Sequence, residues 1–149
     1  MTLPSSSNSG LPGEPMLRVD DLRVSFPNRD GGRTEAVRGV SFQLGRERLG
    51  IVGESGSGKS QMGRAILGLT APEGRVTANK LAFNGIDLLD CAPKQRRELR
   101  GGRIAMVLQD PKFSLNPVMT IGQQVVETLR AHSRVSGKAA RSEAMAALE

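Results

Sequence analysis

Residues 50–67 read GIVGESGSGKSQMGRAIL. The order of chemistry in this stretch decides the fold. The run RLGIV, residues 48–52, is apolar without alternation. That predicts a strand covered on both faces of a parallel sheet. After the glycines, Met62, Ala65, Ile66 and Leu69 fall at i, i+3, i+4 and i+7, the stripe of an amphipathic helix. Between strand and helix, Gly53, Gly58, Lys59 and Ser60 satisfy the spacing G-x-x-x-x-G-K-[ST].

That spacing has a physical purpose. Glycines admit backbone angles barred to other residues, so successive N–H groups can turn inward around an anion. The unpaired amides and partial positive charge of a following helix N-terminus add to the attraction. The loop Gly53, Glu54, Ser55, Gly56, Ser57, Gly58 is therefore expected to wrap a triphosphate, with Gln61 in the first helical turn beside it. Lys59 should reach the β- and γ-phosphate oxygens, and Ser60 should offer its hydroxyl oxygen to Mg²⁺. A Gly-Ser turn between strand and helix would account for the glycines alone. It would not account for a lysine and a serine placed directly at the helix start.

Working toward the N-terminus, Leu22, Val24 and Phe26 alternate as in a half-buried strand, while Leu17 and Val19 alternate in the opposite phase. The change of phase predicts a bulge at Asp20-Asp21. Asp30-Gly31 supplies turn chemistry, and Val40, Phe42 and Leu44 then share a face. The two segments predict an antiparallel hairpin layer. Working toward the C-terminus, TAPEG (70–74) is expected to end the first helix at Pro72 and Gly74. Leu81 and Phe83 mark a short strand closed by Asn84-Gly85, and Pro93 starts a helix with a glycine stop. RIAMVLQ, residues 103–109, predicts a second covered strand. Ile121, Val125, Val126 and Leu129 mark another helix, and residues from about Gly137 read as helical and frayed.

Bulk properties narrow the class. The 149 residues suffice for one domain with a core, and none of the apolar runs is long enough to cross a bilayer. Residues 1–15 are rich in Ser, Pro and Gly and predict a disordered leader rather than a secretory signal. A single cysteine, Cys91, excludes an internal disulfide framework and fits a reducing cytoplasm, and one histidine, His132, argues against a zinc site. The formal charge of +6 is compatible with nucleic acid, phosphates or an anionic surface. Part of it is concentrated in KQRRELRGGR, Lys94 to Arg103, which also reads as an ordinary solvated helix face. An aromatic content of 3% weighs against base stacking on single strands, and no nucleic-acid partner is expected.

Two motifs in order are more specific than one. LGIVGESGSGKSQ, followed about fifty residues later by MVLQDPKFSLNPVMTIGQQVVE, resembles the ATP-binding subunit of an ABC transporter. The LQDPKFSLNPVMTIG form is most similar to the oligopeptide/dipeptide importer branch, and AVRGVSFQLGRERLGIVGESGSGKS enters the glycine loop as that branch does. The resemblance implies an α/β P-loop NTPase with an N-terminal antiparallel β layer and a partial parallel sheet, spanning residues 16–149. It implies ATP and Mg²⁺ as cofactors. It implies permease membrane subunits and a second ATP-binding subunit as partners, at the cytoplasmic face of the membrane. Gln109 matches the family's Q-loop glutamine, which contacts Mg²⁺ and the attacking water. Phe26 stands where the family stacks an aromatic on adenine; by alternation it fits plain core equally well. Asp110 and Pro111 resemble loop-shaping residues, and residues 113–121 match the surface that receives a permease's coupling helix.

The match stops before the family's other motifs. The 149 residues hold no LSGGQ-like signature, no apolar strand ending in Asp-Glu and no downstream switch histidine. The resemblance therefore implies the first part of an ABC nucleotide-binding domain. Nucleotide can bind, hydrolysis is very slow without the catalytic Glu, and uncovered apolar edges make the chain marginally stable or prone to aggregate. Two other readings stand beside this one: a soluble ABC-type ATPase acting on nucleic acid or ribosomes, and a small P-loop kinase.

Overall fold

The computed structural model describes residues 14–107, 115–133 and 135–148. The chain divides into two compact units, Met1–Arg96 and Arg97–Glu149.

The first unit is built on a hairpin. Strand β1, Leu17–Pro27, pairs antiparallel with β2, Arg33–Leu44, in the register Val19↔Phe42, Leu22↔Val40 and Val24↔Val37. The expected bulge is present: the register shifts between Val19 and Leu22, and Asp21 takes a positive φ of 47°. Its backbone N–H donates to Ser41 Oγ at 2.8 Å. The extra residue restores the phase, so Val19, Leu22 and Val24 are all buried although the first two stand three positions apart. At the hairpin tip Gly31 adopts φ 79°, and Asn28 closes the turn by accepting the Gly32 N–H on Oδ1 at 2.7 Å.

β1 also pairs antiparallel with β3, Arg75–Thr77, and β4, Lys80–Phe83. A tight turn with positive φ at Asn84 and Gly85 links β4 to β5, Ile86–Asp87. The sheet order is β2-β1-β4-β5, with β3 alongside β1. Leu81, Ala82, Phe83 and Leu88 join the buried hairpin residues to form the core.

Helix α1, Lys59–Leu67, buries Met62, Ala65 and Leu67. It stops sooner than expected. Gly68 turns left-handed at φ 64°, its N–H bonds Ala65 O, and the Leu69 N–H bonds Arg64 O at 2.7 Å. This reciprocal closure ends the helix before Pro72, which leaves Leu69 exposed rather than in the stripe. Helix α2, Pro93–Gly102, leaves helical geometry at Arg100 and Gly101. Within the basic segment, Arg96 folds onto the Leu88 carbonyl and its Nε donates to Cys91 Sγ at 3.4 Å. At least this charge serves the local fold.

In the second unit, α3, Ile121–His132, opens with a capping box between Thr120 and Gln123, and α4, Gly137–Ala146, opens on Ser136. The two helices pack together around Ala140 and Ala144.

The partial parallel sheet requires correction. Among the described residues every strand pairing is antiparallel, apart from an isolated bridge between Arg100 and Ile104. RLGIV forms no strand, and Val52 is 97% exposed. The described part of RIAMVLQ forms only that bridge, and Val107 is 96% exposed. A covered strand gains its stability from neighbours that pair with both of its edges and from layers above and below. The described residues offer these two runs no such neighbour.

Candidate phosphate-binding site

The glycine loop sits between the run at 48–52 and the start of α1. Gly56 and Gly58 adopt φ of 81° and 93°, the left-handed angles that let backbone amides turn toward one centre. Ser57 N–H bonds back to Glu54 O at 3.2 Å and holds the loop's curve. Gly58 has a second constraint. A Cβ built there would fall well inside 3.0 Å of Ala36 O, so the loop rests directly on the backbone of β2. A Cβ at Gly53 would meet Ser57 Oγ at 2.7 Å.

Helix α1 begins at Gly58 with no side-chain cap and with no acidic residue in its first turn. The first N–H of α1 found in a backbone bond is that of Met62, to Gly58 O at 2.9 Å. The amides of Lys59, Ser60 and Gln61 thus remain the open donors that any helix N-terminus carries. Lys59 closes the ring: Nζ donates to Gly53 O and Glu54 O at 2.6 Å each and to Ser57 Oγ at 3.1 Å. Its positive charge is thereby held over the loop. Ser60 is exposed beside it, and Gln61 is half-buried.

A cavity of about 640 Å³ opens beside the loop. It is lined by Gly53, Gly56, Ser57, Gly58 and Lys59, and on the hairpin side by β2 from Glu35 to Arg38. The structure thus brings together five of the loop residues expected from sequence. It adds a wall that sequence reasoning missed, because contact between β2 and the loop is long-range and carries no motif. Phe26 is not among the lining residues. It is half-buried, pairs with Thr34 in the hairpin, and presses on Gly74, where a Cβ would lie 2.8 Å from its ring. Gln109, Asp110 and Pro111 lie outside the described residues, as do residues 113 and 114 of the expected permease-facing surface.

Electrostatics at the hairpin are set by ion pairs. Hydrogen bonds that Arg23 donates to the Asp21 carboxylate hold its guanidinium pKa above its ordinary value. On the neighbouring strands, the hydrogen bond from Lys80 holds the Asp87 carboxyl below the usual carboxylate range. No described helix is long and apolar enough to cross a membrane.

An unpaired helix start, two left-handed glycines and a lysine over the ring make an arrangement whose chemistry suits an anion. The family model described as ABC transporter matches residues 37–149, which is most of the chain. The chain belongs to the ABC transporter family. Among curated relatives, this ABC transporter chain is 44% identical over 137 residues to the dipeptide transport ATP-binding protein DppD of Bacillus subtilis. It is 43% identical over 146 residues to the oligopeptide transport ATP-binding protein OppD of Salmonella typhimurium. The first match covers 91% of this chain and 41% of the relative, and the second covers 97% and 43%. The chain therefore spans about two fifths of the length of these relatives.

The residues present suit ATP with Mg²⁺. The amide ring and Lys59 would hold the phosphates, and the Ser60 hydroxyl would face the metal that neutralises them.

Proposed function

We propose that this chain is the nucleotide-binding part of the ATP-binding component of an ABC importer for peptides or similar solutes. The observation that carries the reading is the Lys59-closed glycine loop at an uncapped helix N-terminus. It is supported by similarity to ATP-binding proteins named for dipeptide and oligopeptide transport.

On this reading the loop binds Mg·ATP. Lys59 exchanges its three loop acceptors for β- and γ-phosphate oxygens, and Ser60 ligates Mg²⁺. The adenine runs toward Phe26. That residue pairs with Thr34, two positions from Ala36 along β2. Two strand residues cover about 7 Å, a distance that a nucleotide with its phosphates on the loop readily spans. Gln109 positions the metal and the attacking water. A permease and a second ATP-binding subunit complete the machine at the cytoplasmic face of the membrane. The 149 residues contain neither a signature loop nor an Asp-Glu strand. We therefore assign them nucleotide binding without rapid hydrolysis.

The test is Mg·ATP-dependent stabilisation. Ligand that binds only the native state at a hundred times its Kd stabilises by about 2.7 kcal/mol. For a chain of this size that raises the thermal midpoint by about 5–10 °C. Lys59→Ala should remove the shift while leaving the midpoint without nucleotide nearly unchanged. Equal shifts in both proteins would overturn the role given to Lys59.

A further inference from the structure

The hairpin carries arginines in three different situations. Arg23 is fully engaged: Nε and Nη2 donate to the Asp21 carboxylate at 3.0–3.1 Å, and Nη1 reaches Glu35 Oε1 at 3.4 Å. Arg33 donates to Ser25 Oγ, Ser25 O and Glu73 O and so ties the hairpin to the turn before β3. Arg38 differs. Its side chain makes one hydrogen bond among the described residues, a long one from Nε to Glu35 O at 3.4 Å. Among the described residues it forms no ion pair.

The register explains why. Arg38 stands directly across from Arg23, and Arg23 has already taken the carboxylates of Asp21 and Glu35. Two like charges placed opposite each other on a sheet are unfavourable unless something neutralises the second one. Arg38 is exposed on β2, which is an edge strand, and it lines the same cavity as Lys59. The cavity's lining holds two cations, Lys59 and Arg38. Its one acidic side chain, Glu35, has an oxygen already engaged by Arg23.

We propose that Arg38 is a second polyphosphate-binding cation, contacting the phosphates held by the glycine loop. The proposal rests on the phosphate reading of that loop. Ala36 O is the point where β2 meets Gly58, and Arg38 follows two residues later, about 7 Å along the strand. A guanidinium side chain has the length to close that gap. It also presents planar paired donors that match a phosphate face. Phe26 and Thr34 lie on the opposite side of Ala36 along β2. With the base directed that way, Arg38 meets phosphate and not adenine.

The experiment measures binding of Mg·ATP and of inorganic tripolyphosphate, which has no base, by calorimetry on the wild-type chain, Arg38→Ala, Arg38→Lys and Lys59→Ala. Arg38→Ala should weaken both ligands by about tenfold, the low end for a charge-assisted bond at an exposed site. Arg38→Lys should fall between wild type and Arg38→Ala, and the thermal midpoint without ligand should stay within a few degrees of wild type. Affinity for both ligands unchanged in Arg38→Ala, or a loss confined to ATP, overturns the contact to phosphate. A wild-type chain that binds neither ligand, like Lys59→Ala, would instead overturn the glycine-loop reading and this proposal with it.

Discussion

Gly58→Ala separates two reasons for having a glycine in the loop. If the glycine only lets phosphate approach, the substitution should weaken nucleotide binding and leave the ligand-free fold alone. The structure gives it a second task. Gly58 holds φ 93°, and a Cβ there would collide with Ala36 O, a backbone atom of β2. The left-handed angle costs a non-glycine residue about 1–2 kcal/mol. A rigid carbonyl cannot swing aside as a side chain would, so either hairpin or loop must shift, at a further cost of about 1–3 kcal/mol by analogy with overpacking. Together these remove about 2–5 kcal/mol from a domain whose whole stability is of order 5–15 kcal/mol. At about 2–4 °C per kcal/mol for this size, the midpoint without nucleotide should fall by on the order of 10 °C. The assay is thermal unfolding followed by circular dichroism, without ATP, beside Gly56→Ala. That control also sits at positive φ but meets nothing within 4 Å, so it carries the backbone cost alone. Equal midpoints for the two variants would refute the claim that β2 seats the loop.

Two further outcomes follow from the first unit. Leu22→Ala empties a fully buried position between Val19 and Val24 in β1, and should cost about 2–5 kcal/mol in urea denaturation; a loss under 1 kcal/mol would mean that the bulge does not direct Leu22 into the core. Asp87 has its folded pKa depressed by Lys80, so its contribution is present above the unfolded value of about 4 and is lost as pH falls through the folded value. Because the pair is about 40% exposed, the contribution is small, of the order of an exposed ion pair, about 0–1 kcal/mol. Asp87→Asn should therefore be slightly less stable than wild type at pH 7, with the difference shrinking as pH falls through the folded value; a difference that stays constant as the carboxyl protonates would exclude the Lys80 pair as its cause.

Much of the local structure was legible because its cause is local. The change of phase at Asp20-Asp21 announced the bulge, since a side-chain period of two cannot keep one face buried across it without an extra residue. Asn84-Gly85 announced the end of β4, where both residues take positive φ, but not the short β5 beyond it. Helix α1 ends one signal earlier than Pro72 predicts. Pro72 cannot continue a helix, but Gly68 stops it first, by accepting the left-handed angle that lets Leu69 N–H turn back to Arg64 O. The runs at 48–52 and 103–107 carried the composition of covered strands. Composition states a preference for burial and cannot supply the neighbouring strands that burial needs.

The same division holds at the site. The sequence by itself determined the loop: glycines spaced so that the chain can curl, a lysine to close the curl, and a serine one residue into the helix. These are properties of adjacent residues, set by backbone sterics and helix-end chemistry. Only the tertiary structure decided what lies against the loop. It laid the backbone of β2 on Gly58, paired Arg23 with both nearby acids, and left Arg38 lining the cavity with no ion pair among the described residues. The seating of Gly58 on Ala36, the reach of Arg23 to Glu35 and the placing of Arg38 beside Lys59 join residues 12 or more positions apart through strand pairing and packing, and neighbouring residues in a sequence do not encode them.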